Sequence, residues 1–185
     1  SEYSMNKVET MGIMAVLKEA YPMYYRDKSK TELNAAVNLW AEMFADDDIN
    51  LVKAAVKTYI ANDTKGFPPV IGQIKSALYK LTHSEQMSEV AAWGLVSKAL
   101  KNGFYNAEQE FEKLPPVVQK AIGSADRLRD WSQVDVQAVQ SVISSNFMRS
   151  YKAKLQVEQE YQQLPSDIKQ LIYGVGSELN GNLIS

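Results

Sequence analysis

Hydrophobic positions recur at helical spacing along almost the whole chain. Ile13, Val16, Leu17 and Ala20 stand at i, i+3, i+4 and i+7, and Pro22 lacks the donor needed to continue, so a first helix is expected over roughly residues 6–20. Leu33, Val37, Trp40 and Phe44 form a second stripe behind Ser29-Lys30-Thr31-Glu32, a spacing at which hydroxyl and carboxylate each satisfy a free backbone N–H; the expected helix covers about 30–45. Asp46-Asp47-Asp48 puts negative charge where the dipole of a third helix favours it, ahead of Val52, Ala55, Val56, Tyr59 and Ile60. Asn62 to Gly66 has loop composition. Phe67-Pro68-Pro69 forces an extended backbone, and Ile71, Ile74, Leu78 and Leu81 line one side of a fourth helix.

The pattern lapses around Thr82-His83-Ser84-Glu85. This divides the chain into an N-terminal four-helix bundle, residues 1–82, and a C-terminal helical region, residues 83–185. In the second region Trp93, Val96 and Leu100 form a stripe that Gly103 is expected to close in the left-handed conformation. Asn106 is placed to cap a short helix ending at Leu114-Pro115-Pro116; another reaches Gly123, and Ser124 caps a third around Arg127 to Trp131. Asp135 opens the longest pattern, Val139, Ile143, Phe147, Tyr151 and Leu155, continued by Tyr161 and Leu164, which predicts one helix over about 135–164 before Pro165. Strand alternation is missing, and the single Asn180-Gly181 pair reads as part of a short polar tail. The expected fold is all-α.

Glu108-Gln109-Glu110-Phe111-Glu112-Lys113-Leu114-Pro115 is echoed by Glu158-Gln159-Glu160-Tyr161-Gln162-Gln163-Leu164-Pro165. A duplicated recognition unit is one reading. Recurrence of a helix-proline-helix grammar is the other, and the mismatched flanks favour it.

Composition narrows the chemistry. The 185 residues contain no cysteine and one histidine, His83, which reads as a linker residue; thiol nucleophiles, cysteine zinc sites and multi-histidine metal centres are excluded. Three adjacent carboxylates at Asp46-Asp47-Asp48 cannot all converge on one ion and lack the alternation of a calcium loop. Lys65-Gly66-Phe67 has neither the flanking glycine nor the Lys-Ser/Thr end of a phosphate-binding loop. No catalytic residue, cofactor or metal is therefore expected, and the chain reads as a non-enzyme. No apolar run approaches the roughly 20 residues of a membrane span, and the N-terminus lacks the features of a secretory signal, so a cytoplasmic location without membrane contact is expected.

Lys and Arg number 20 against 22 Asp and Glu, a formal net charge of −2, and neither half is basic: residues 1–82 carry 10 and 10, residues 83–185 carry 10 and 12. That balance argues against direct nucleic-acid binding, whose affinity comes mostly from phosphate neutralisation. The best cationic cluster is Arg149, Lys152 and Lys154 on the long helix. Its aromatic neighbours Phe147 and Tyr151 belong to the apolar stripe, so a stacking role is not favoured. The polar face Asn146, Arg149, Ser150 and Ala153 suits a protein partner, and Asn146, Arg149, Ser150, Lys152 and Lys154 are the candidate partner-binding residues.

Ala20-Tyr21-Pro22 with Tyr24-Tyr25, Ala36-Val37-Asn38-Leu39-Trp40 with Met43-Phe44, Val52-Lys53-Ala54-Ala55-Val56 with Tyr59-Ile60, and Phe67-Pro68-Pro69 with Ile71 and Ile74 succeed one another in the first eighty residues. In that order and spacing they resemble the N-terminal domain of the phage replicative-helicase loader/inhibitor family. The second half, with Trp93, Leu114-Pro115-Pro116, Gly123, Trp131 and Ser145 to Tyr151, is similar to longer phage proteins grouped with that family. The resemblance implies a DNA-replication regulator that binds the hexameric DnaB-type helicase or its loader, blocks ATPase and unwinding, and delivers the ring to the phage origin, where a phage initiator takes it over. The C-terminal half is expected to make the partner contacts. Two other functions remain open: inhibition of a host defence or host replication protein, and a DNA-binding accessory or initiator role. Oligomeric state is left open by the sequence, with a dimer compatible with the long helix.

Overall fold

The computed structural model describes residues 5–182, with side chains described to residue 179. All regular structure among them is helical. The chain divides into two compact units: residues up to Ser84 with those from Tyr161 onward, and residues Glu85–Glu160. The described residues from Tyr161 onward, read from sequence as part of the C-terminal region, thus cluster with the first unit.

In the first unit, α1 (Lys7–Ala20), α3 (Lys30–Met43), α4 (Ile49–Asn62) and α5 (Ile71–Thr82) surround a core of Ile13, Leu17, Trp40, Phe44, Val56 and Ile74. Asn6 opens α1: its side chain accepts from the Glu9 N–H at 2.9 Å, and the Glu9 carboxylate accepts from the Asn6 N–H at 2.8 Å. The buried stripe of α1 is Thr10, Ile13, Met14 and Leu17; Val16 and Ala20, assigned to the core from sequence, are exposed because the inward face is turned one position back. Pro22 does end α1, and it also starts a single turn, α2 (Pro22–Tyr25), as proline's fixed φ suits a first helical position. Ser29 and Glu32 form the reciprocal cap foreseen for α3, with bonds of 3.1 and 2.7 Å. Leu81, placed on the buried side of α5, is exposed; Lys75 and Tyr79 are buried in that helix instead.

The three aspartates do three different jobs. Asp48 caps α4, accepting from the N–H groups of Asn50 and Leu51 at 2.7 and 3.3 Å. Asp47 meets the buried Lys75 ammonium at 2.6 Å, and that ammonium also lies 4.8 Å from the Phe44 ring centroid. Asp46 accepts from the Ser166 N–H at 2.7 Å, which holds its carboxyl below the usual range. That bond ties α12 (Ser166–Asn182) to the first unit, helped by Gln163 donating to Ser76 at 3.4 Å. Asn180-Gly181, read as a polar tail, lies within this helix. His83, read as a linker, finishes α5: its Nδ1 is 3.0 Å from the Tyr79 carbonyl and its ring stacks on Tyr79 at 3.9 Å.

The second unit contains α6 (Glu89–Leu100), α7 (Gly103–Glu112), α8 (Pro116–Ile122), α9 (Ala125–Ser132), α10 (Val136–Ala138) and α11 (Ser144–Gln162), whose last two residues belong to the first unit. A π-helical turn, Val139–Ile143, joins the last two, so residues 136–162 are one helical stretch of 27 residues. The hydroxyls of Ser141, Ser144 and Ser145 donate to the Gln137, Gln140 and Ser141 carbonyls at 2.8, 2.7 and 2.7 Å, occupying acceptors around the widened turn. Phe147 and Tyr151 are buried as their spacing foretold, with Trp93 and Trp131 around Phe147. Tyr161, expected to extend the stripe, is exposed.

Gly103 was expected to be left-handed; its φ is not positive, and it starts α7. What it provides is room, since a Cβ there would lie 3.2 Å from Ser132 Cβ on α9. Gly103→Ala is therefore expected to destabilise by about 1–2 kcal/mol through forced separation of α7 and α9, against the usual helix gain from alanine, measurable by urea denaturation. Asn106, at φ −122° and ψ 29°, breaks α7 into two helical segments and stands at the head of the second, as expected, without a side-chain capping bond. Gly123, at φ +106°, does end α8 as expected, and Ser124 and Asp135 cap α9 and α10.

The sequence echo corresponds to two similarly built joints. Leu114 N–H donates to Phe111 and Leu164 N–H to Tyr161, both at 3.1 Å; Gln119 N–H donates to Pro115 and Lys169 N–H to Pro165, both at 3.0 Å. The joints differ in the helix beyond the proline. Val118, Ala121 and Ile122 are buried, whereas their counterparts Ile168, Leu171 and Ile172 are exposed.

Candidate functional site

Of the candidate residues on α11, Asn146, Arg149 and Lys152 lie on the side away from Phe147 and Tyr151, whereas Lys154 stands within about 20° of Phe147 around the helix, two turns on. Asn146, Arg149, Lys152 and Lys154 are exposed. Arg149 Nη1 approaches Asn146 Oδ1 at 3.5 Å, and Lys152 Nζ lies 4.0 Å from a Glu89 carboxylate oxygen. At 100° per residue, Arg149, Lys152 and Lys154 spread over more than half the helix circumference, so they share no single face and make no focused anion site. Ser150 differs from the rest: it is half-buried and donates to the Ala121 carbonyl at 3.2 Å, fastening α11 to α8. Tyr151 similarly donates to the Met87 carbonyl at 2.9 Å, and burial raises its pKa, with Glu89 adding to it.

A second surface, in the first unit, was not anticipated. A groove of about 860 Å³ runs between the α2–α3 region and the extended stretch 67–70, lined by Tyr24, Tyr25, Lys28, Trp40, Phe67 and Pro68 among others. The rings of Tyr24 and Tyr25 meet edge to face at 5.0 Å, and Lys28 Nζ lies 5.3 Å from the Tyr24 centroid. Tyr59 donates to the Phe67 carbonyl at 3.0 Å. Asp63 accepts from Lys65 and Gly66 N–H groups at 2.9 and 3.0 Å, folding the preceding turn around Gly66 at φ +79°. These bonds fix the far wall. The sequence signal for this site was Tyr24-Tyr25-Arg26-Asp27-Lys28, an aromatic pair in a stretch with no helical stripe to absorb it.

Beside the groove, Tyr21 is buried, and its hydroxyl has no well-formed hydrogen bond among the described residues. Burial pushes its pKa up to about 12, with the neighbouring Asp63 carboxylate adding to the shift. A phenol with a raised folded pKa contributes stability that is complete below its ordinary value of 10.0 and is lost as pH rises towards about 12. Tyr21→Phe is expected to remove that part of the alkaline loss and leave neutral-pH stability equal or higher by about 1 kcal/mol, because a poorly satisfied buried hydroxyl goes with it. Thermal denaturation at neutral pH and above pH 10 checks both.

Among the described residues no cluster of three or more His, Cys, Asp or Glu could hold a metal ion, and no helix is long and apolar enough to cross a membrane. Residues 5–75 match the N-terminal domain of the gp39P-like phage helicase loader/inhibitor family. This is the family that the aromatic and proline motifs resemble. The gp39P-like match covers α1 to most of α5, including the groove, and stops before the second unit. Neither the curated proteins nor the solved structures include a match.

Proposed function

We propose that this chain is a non-catalytic phage replication regulator that binds the hexameric DnaB-type helicase or its loader in the host cytoplasm. It holds down ATPase and unwinding until a phage initiator takes over the ring at the origin. The observation that carries this reading is the match of residues 5–75 to the gp39P-like N-terminal domain, a family of helicase-associated proteins. The exposed side chains of α11, Arg149 and Lys152 among them, supply the main contact, and the bundle a second one. Such work needs surfaces rather than a reaction centre, in keeping with a chain that has no cysteine and one histidine.

The direct test mixes the full chain with the purified host replicative helicase. Co-elution on size exclusion and a fall in ATPase rate are expected; separate elution with full ATPase activity would overturn the reading. Recovery of a different enzyme from host lysate would point instead to inhibition of a host protein. Arg149→Glu/Lys152→Glu/Lys154→Glu should weaken helicase binding by about tenfold or more and lessen its salt dependence, with the melting temperature unchanged because these side chains are exposed. Surface plasmon resonance at two salt concentrations reads this.

A further inference from the structure

α12 carries an apolar stripe that its own chain leaves open. Ile168, Leu171, Ile172, Val175 and Leu179 recur at helical spacing, and all five are exposed, by 38% to 64%. At the sister joint the equivalent positions, Val118, Ala121 and Ile122, belong to the core of the second unit. The stripe is thus built like a buried face. Asp167 and Glu178 stand on one edge of it, within about 40° of Leu171 around the helix, and neither is in an ion pair among the described residues. Lys169, beyond the other edge, is engaged by the Gln162 carbonyl at 3.2 Å and the Tyr161 ring at 5.6 Å.

A surface of matching chemistry lies between α1 and α4, which run side by side in the same direction. Two adjoining hollows of about 300 and 630 Å³ separate them, the first bounded by Gly12, Ile13, Lys53 and Val56, the second by Ala15, Glu19, Ile60 and Ala61, with Val16 and Lys57 common to both. The charges in this lining are two cations and one anion. Lys53 and Lys57 stand one turn apart on the α4 bank, and neither has a carboxylate within ion-pair distance among the described residues, Glu19 included. Gly12 adds a separate sign. It sits inside α1 without a positive φ, and a Cβ there would meet nothing within 4 Å, so no turn or contact in this chain calls for a residue that weakens a helix interior. Close approach of another helix does.

We infer that two copies of this chain pair reciprocally, each laying the apolar stripe of α12 in the other's α1–α4 groove with Glu178 against Lys53 and Lys57. With α12 running in the same direction as α1 and α4, the Glu178 edge faces α4, and Leu171, Val175 and Leu179 pass Val8, Gly12 and Val16, which share their four-residue spacing. A closed two-fold pair makes this contact twice, which is how a helix-in-groove contact reaches the roughly 1,200–2,000 Å² of a stable interface.

Self-association of this kind goes beyond helicase regulation and is read on the full chain alone. Sedimentation equilibrium is expected to show a dimer with micromolar dissociation. Leu171→Lys/Leu179→Lys and Gly12→Leu, all at exposed positions, should each weaken it by about tenfold or more with the helical circular-dichroism signal unchanged. Lys57→Glu and Glu178→Lys should each weaken it as well, and Lys57→Glu/Glu178→Lys together should recover most of the loss. Because the chain has no cysteine, Lys57→Cys protein mixed with Glu178→Cys protein should oxidise to a linked pair far faster than either variant alone. A monomer at every attainable concentration, a dimer indifferent to the α12 and Gly12 variants, or a charge exchange that restores nothing would each overturn the assignment. Absence of helicase binding by the wild-type chain would leave the pairing result standing.

Discussion

Asp47→Ala is expected to destabilise the first unit by about 3 kcal/mol or more, one of the two largest effects in the molecule. The Lys75 side chain is 8% exposed and Asp47 only 28%, so removal of the carboxylate leaves a buried ammonium without its direct partner, with the Phe44 ring and the more distant Asp46 carboxylate as its remaining stabilisers. Replacing the lysine as well should undo the damage: Asp47→Ala/Lys75→Met leaves no buried charge, and a flexible apolar side chain fills the same track. Chemical denaturation of the two variants separates these expectations. Equal loss in both would show that the carboxylate acts through packing and not through the charge opposite it.

Phe147→Ala is expected to cost the second unit about 3–5 kcal/mol, because the cavity left by a fully buried ring is lined by groups that cannot collapse into it. Phe147 is 1% exposed, with Trp93, Tyr151 and Trp131 at centroid distances of 5.6, 6.0 and 6.5 Å. Two of those neighbours report on the site directly. Tryptophan fluorescence should shift to the red in native buffer, and the denaturation midpoint should fall. Phe147→Leu, which retains most of the volume, should lose less than half as much.

Helix positions were legible because their signals are local. Ser29-x-x-Glu32 capped α3, Pro22 and Pro165 marked breaks, and the spacing of Phe147 and Tyr151 gave the inward side of α11. Features that depend on a neighbouring element were not legible. Gly103 looked like a helix stop, yet its role is set by Ser132 on another helix, nearly thirty residues on. Asp46 and Asp47 looked like dipole charge, yet their partners, Ser166 and Lys75, come from distant parts of the sequence. Ser150 was read as a partner contact because periodicity places it beside Arg149, while a single bond to α8 gives it a structural task. The groove escaped for the same reason: Tyr24 and Phe67 are separated by two whole helices, and only folding brings them to one surface.

The π-helical turn at Val139–Ile143 also bears on how this helix tolerates change in length. One surplus residue is stored there, between an aromatic anchor at Phe147 and a capped start at Asp135. Deleting a residue inside the turn would draw it into ordinary α-helix without moving the anchor, whereas the same deletion between Phe147 and Tyr151 would rotate one ring by about 100° away from the core. The widened turn is thus a slack point in the reading frame of the helix, where insertions and deletions can accumulate while both ends keep their seats.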